Sequence, residues 1–125
     1  MSIITDNTVL VHIYSGLESK NKVTLGLLVA LEAEKNDHKV TLFLAGDGVN
    51  VLSCKKAGEV VGQGTGDLYD HLKNLKNSKV TIYVSEMSAK SRGYDKTLLN
   101  GYKAEFVMPN VLIEESIKAD SVLCY

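Results

Sequence analysis

Short apolar, β-branched runs alternate along this chain with stretches of helical spacing, and no other feature restricts the fold as much. Val9–Tyr14 (VLVHIY), Lys39–Leu44, Val80–Val84, Ala104–Val107 and Ser121–Cys124 read as strands. The first is almost continuously apolar, as a strand covered on both faces must be. Between them, Lys22–Lys35 and Asp67–Lys76 have the apolar spacing of amphipathic helices. Shorter helices are predicted over Val51–Ala57, Tyr94–Leu99 and Val111–Lys118, the last with Asn110 as its cap, and Ser19 or Asn21 is expected to cap Lys22–Lys35. Asn100-Gly101 reads as a left-handed helix stop, and Gly58–Gly66 as a glycine-rich loop. This β-α-β order predicts an α/β fold: a three-layer domain over residues 1–125, with a mostly parallel five-stranded sheet and helices on both faces. With 125 residues the chain suits one core.

Composition narrows the function. Fourteen basic and 15 acidic residues leave a net charge of −1, without the basic excess of a nucleic-acid binder, so no direct nucleic-acid contact is expected. Apolar runs fall well short of the roughly 18 residues of a membrane span, and Met1–Thr8 lacks the pattern of a signal peptide. Cys54 and Cys124 stand far apart, with no C-x-x-C spacing, and no histidine pair has metal-ligand spacing. A cytoplasmic protein without metal or cofactor is the expectation. Gly62-Gln63-Gly64-Thr65-Gly66 follows no strand and lacks dinucleotide-loop spacing, and no phosphate-binding P-loop is present.

In a parallel sheet, ligands bind beyond the carboxyl ends of the strands. Here those ends carry Ser15-Gly16, then Gly46-Asp47-Gly48 with Asn50, then Ser85-Glu86-Met87-Ser88, and Met108-Pro109-Asn110. The glycine turn either admits a ligand close to backbone amides or is merely a tight turn. Lys90 and Arg92, after the third strand, are suited to hold an anionic group such as a phosphate or a sulfur oxyanion, and equally to subunit contacts. Cys54 is the cysteine expected near this edge. A helix start and Lys55-Lys56 would favour its thiolate, whereas the plain alternative is a small buried hydrophobe. Cys124 reads as a core residue, His12 as a satisfied core histidine, and His71 as a residue at a helix border with solvent.

Three pieces, Gly46-Asp47-Gly48-Val49-Asn50-Val51-Leu52, Met87-Ser88-Ala89-Lys90-Ser91-Arg92-Gly93 and Ala119-Asp120-Ser121-Val122-Leu123, carry a family likeness. On them the chain resembles the DsrE/DsrF-like family, which includes small proteins labelled predicted peroxiredoxins. The resemblance implies a flavodoxin-like or Rossmann-like sheet and homo-oligomers, commonly trimers or hexamers. Sulfur-relay members hold a persulfide on a cysteine at the end of the third strand, and some have a second cysteine nearby. Those places fall on Ser85 and Ser88. A serine hydroxyl holds no persulfide, and a peroxidatic cycle needs a thiolate.

The expected protein is thus a non-catalytic member that binds a small anionic ligand or a partner at the edge formed by Ser15, Gly16, Gly46, Asp47, Gly48, Asn50, Ser85, Met87, Ser88, Lys90 and Arg92. Two alternatives stay open: a sulfurtransferase or thiol-redox enzyme using Cys54, and a silent subunit in a hetero-oligomer of homologous sulfur-relay chains.

Overall fold

A computed structural model describes residues 7–125. The reading of Met1–Thr8 falls, up to residue 6, outside them. Strand β1 (Thr8–Ile13) leads to helix α1 (Lys20–Lys35), then β2 (Lys39–Leu44) and a 3₁₀ segment (Gly46–Ser53). A two-residue hairpin, β3 (Val61–Gly62) and β4 (Gly66–Asp67), enters α2 (Leu68–Lys76). Strand β5 (Thr81–Ser85), helix α3 (Glu86–Ser91), a second 3₁₀ segment (Lys96–Leu99), β6 (Ala104–Val107), α4 (Pro109–Lys118) and β7 (Ser121–Cys124) complete the order.

The main sheet has the order β6-β5-β2-β1-β7, and every pair in it is parallel. From β1 the chain steps outward through β2 and β5 to β6, then returns across the sheet to place β7 on the other side of β1. Right-handed crossovers in one direction fall on one face, and a crossover in the reverse direction falls on the other. The first face is accordingly the larger core. Val9, Val11, Ile13, Val40, Leu42, Leu44, Ile82 and Val84 pack there with Val23 and Leu27 of α1 and Leu68, Leu72 and Leu75 of α2. The second face holds Leu10, Phe43 and Val107 beneath α4, which contributes Val111 and Leu112, joined by Ala119 just past its end.

Local chemistry moves several predicted boundaries. The short helix expected over Val51–Ala57 is a 3₁₀ segment that begins at Gly46, directly after the strand. The stretch after β5, for which the spacing predicted no helix, is helical from Glu86 because Ser85 caps it. Ser19 is at the N-cap of α1 without a side-chain capping bond, and Asn21 Oδ1 instead accepts from the Gln63 amide at 2.7 Å. Asn110 lies inside α4, because Pro109 opens the helix with its φ already set. Gly101 has φ +87°, the left-handed stop expected there. His71 is buried rather than at a border, its Nε2 2.8 Å from the Thr65 carbonyl oxygen. Cys124 is exposed, not core, because β7 is an edge strand. Nor is His12 satisfied, since its Nε2 is buried without a hydrogen-bond partner. Among the described residues no helix is long and apolar enough to cross a membrane.

Candidate functional site

Two neighbouring strands, β5 and β6, send their connections to opposite faces of the sheet, through α3 and α4. A crevice opens at the carboxyl end where such a switch occurs. Ser85 stands at this point, the last residue of β5 and the N-cap of α3. Its Oγ accepts from the Ser88 amide at 3.2 Å, which satisfies one of the free donors of the first turn.

The neighbouring predicted residues are tied to it. The Gly46 amide donates to Ser88 Oγ at 2.9 Å, linking the turn after β2 to α3. Arg92 Nη2 meets Asp47 Oδ1 at 2.8 Å, and its Nη1 donates to the Ser88 carbonyl at 3.0 Å. Tyr94 donates its hydroxyl to Asn50 Oδ1 at 2.6 Å. The Ser15-Gly16 loop abuts the same turn, since a Cβ on Gly16 would lie 3.1 Å from Asp47 Cβ. Gly48 has no room for a side chain either: a Cβ there would overlap the Ile13 carbonyl oxygen. The glycine turn therefore serves close backbone approach, with Gly46 alone in the pair at positive φ (+56°). Ser15, Asp47 and Ser85 share one edge.

That edge is chemically different from the one expected. Lys90 pairs with Glu86 at 2.6 Å and Arg92 with Asp47, so both cations predicted to meet an anion are engaged within the chain. Ser85 and Ser88 use their hydroxyls to join the elements. Beside these exposed ion pairs the rim also presents apolar side chains: Met87 is 57% exposed, with Tyr14 and Met108, after β1 and β6, about half-exposed. Beside Met87, a groove of about 630 Å³ runs between α3 and β6, lined by Glu86, Lys90, Tyr94, Leu99, Ala104 and Phe106. The sequence reading missed this groove; Tyr94, directly after the Met87–Gly93 piece, and Phe106 in β6 were the available signal.

Cys54 does not join this network. It is 3% exposed at the C-terminal end of the 3₁₀ segment, not at a helix start. It lines a small cavity with Tyr69, Leu72, Lys73, Lys76 and Tyr102. Burial pushes its thiol up, the hydrogen bond to the Lys56 backbone opposes this, and Glu59 then adds to the rise. Tyr102, in the same cavity, is pushed up to about 12 chiefly by burial. The thiolate that a nucleophile needs is thus disfavoured. Among the described residues, no group of three or more His, Cys, Asp or Glu side chains could hold a metal ion.

A family model for the DsrE/DsrF-like family matches residues 8–125. The chain belongs to that family. Its fold is also that of the crystal structure of the YchN protein from E. coli, with a TM-score of 0.72 at 18% identity, covering 96% of this chain and 99% of the other. At that identity the likeness speaks for the DsrE-like fold alone. No curated protein matches the chain in sequence.

Proposed function

We propose that this chain is a non-catalytic DsrE-like protein whose carboxyl rim docks a protein partner instead of carrying sulfur. The observation that carries the reading is the role of Ser85. Its oxygen stands at the start of α3, where a cysteine sulfur would face the Ser88 amide and be favoured as thiolate. A serine hydroxyl there remains protonated and serves as a cap. No substitute comes from Cys54, whose buried thiol is driven towards its neutral form.

Partner docking fits the rim better than capture of a small anion. The rim's lysine and arginine are already neutralised by Glu86 and Asp47. Exposed methionines and the adjoining aromatic-lined groove suit the apolar side chains of another protein, and methionine adapts to irregular surfaces. A sister chain that brings its own reactive cysteine would be such a partner, which keeps the silent-subunit reading within this proposal.

A photoreactive side chain at position 87, compared with one at Lys35 far along α1, tests the docking. In cells the first should give a discrete protein adduct and the second none. Absence of adducts from position 87, or the same adducts from both, contradicts docking at the rim. Inorganic sulfate or phosphate binding tightly to the native protein, and lost in Arg92→Ala, would return the rim to the anion reading.

A further inference from the structure

We infer that the cavity between α2 and the turn at Gly101 binds the phosphate group of a small molecule, with Lys55, Lys73 and Lys76 supplying charge and Tyr69 and Tyr102 supplying hydroxyl donors. These residues come from three separate segments. Tyr69, Lys73 and Lys76 fall on one face of α2, each about a turn from the next. Lys55 follows the first 3₁₀ segment, and Tyr102 follows Gly101, whose φ of +87° turns the chain beside Lys76. All five line one cavity of about 180 Å³, with buried Cys54 and Leu72 as its apolar floor.

The polar groups are held in place. Lys73 Nζ lies 5.1 Å from the centre of the Tyr69 ring, and Lys76 Nζ 4.7 Å from that of Tyr102. Attraction to the ring faces keeps both ammonium groups at the cavity. Burial pushes the Tyr102 hydroxyl up to about 12, and Cys54 and Tyr69 are near enough to add to the rise. At neutral pH that hydroxyl keeps its proton and is a donor.

Charge and size select the ligand. The ring faces already carry the chain's own ammonium groups, which excludes a cationic ligand. No carboxylate lines the cavity. Among the described residues Lys55 and Lys76 form no ion pair, and the Lys73 pair with Asp70, at 3.8 Å, is more than half exposed on both sides and therefore weak. Glu59 meets Lys55 at its backbone amide, not its ammonium group. Point charges and hydroxyls without an arginine fork suit a tetrahedral oxyanion better than a planar carboxylate. The volume is below the roughly 300 Å³ at which drug-sized sites begin, so it admits a phosphate with a short substituent.

This site is independent of the rim. Isothermal titration calorimetry at fixed ionic strength tests it, with inorganic phosphate and glycerol phosphate as probes, on the native chain, Lys73→Ala/Lys76→Ala, Tyr102→Phe and Arg92→Ala. Saturable binding is expected, weakened about tenfold or more in the double lysine variant. Tyr102→Phe keeps the ring beside Lys76 and removes the hydroxyl, and should weaken binding about threefold or more. Both lysines are exposed, so their variant should keep the native thermal transition. Arg92→Ala, at the rim, should bind as the native chain does. The tighter probe tells the ester from the free ion, and either supports the site. No saturable binding of either probe, binding indifferent to the double lysine variant, or binding lost in Arg92→Ala overturns the inference.

Discussion

At the scale of single residues, the fate of a thiol or an imidazole is set by what surrounds it. Cys54 illustrates this. The lysines beside it in sequence suggested an activated thiolate, but the fold carries the side chain into a cavity where burial and Glu59 raise its pKa. Iodoacetamide at neutral pH should therefore leave Cys54 unmodified until denaturant is added, as peptide mass spectrometry would read; rapid native alkylation contradicts the placement. His12 is the converse case. Burial holds its imidazole below the ordinary range, and its Nε2 has no partner. On acidification the unfolded chain takes up this proton first, so the stability associated with neutral His12 is present above about pH 6.5 and is lost as pH falls. The thermal midpoint should drop between neutral pH and about pH 5, and His12→Phe should lessen that drop. An equal drop in the variant would count against it. Nothing in the sequence alone distinguished these two residues from their opposites, since alternation and neighbours report the strand or loop, not the depth of a side chain.

Secondary-structure elements were largely legible, and their starts were not. The five long strands follow from β-branched runs, and α1 and α2 from apolar spacing. By contrast, α3 is six residues long with one buried side chain, Ala89, so it has almost no periodicity to read. Its evidence is the cap: a serine three residues ahead of the amide it accepts. The 3₁₀ segment begins inside a glycine pair because Gly48 lets it press against the end of β1. Gly48→Ala should thus cost about 2 kcal/mol or more by urea denaturation, since backbone atoms block the added methyl. Asp67 ties the segment before the hairpin to α2, its carboxylate accepting from Gly58 N at 2.7 Å and Tyr69 N at 3.0 Å. Asp67→Ala should cost about 1 kcal/mol in the same measurement. A neutral effect at either position would show that the neighbouring segments adjust freely.

For the whole molecule, strand order supplies what pattern could not. The reversal at β6 places α4 alone on one face and opens a crevice beside β5. Sequence reading gathered polar and glycine-rich residues at the carboxyl ends of the strands, and the turn after β2 and the start of α3 do meet there. It could not show that Arg92 and the serine hydroxyls would be spent on contacts between segments, since those depend on distances the sequence does not contain, whereas the Glu86–Lys90 pair needed only α3 to be recognised as a helix. In the proposed reading, the capping position at the end of β5 holds an oxygen where a carrier would hold sulfur. Restoring sulfur at that single position is therefore the most direct measurement. Native protein and Ser85→Cys should be incubated with an inorganic polysulfide and the sulfane sulfur mapped by mass spectrometry. The account predicts no sulfane sulfur on Cys54 in either protein and a new persulfide on position 85 of the variant. Stoichiometric, transferable sulfur on Cys54 of the native protein, or on Cys124 in a manner abolished by His12→Phe, would contradict it.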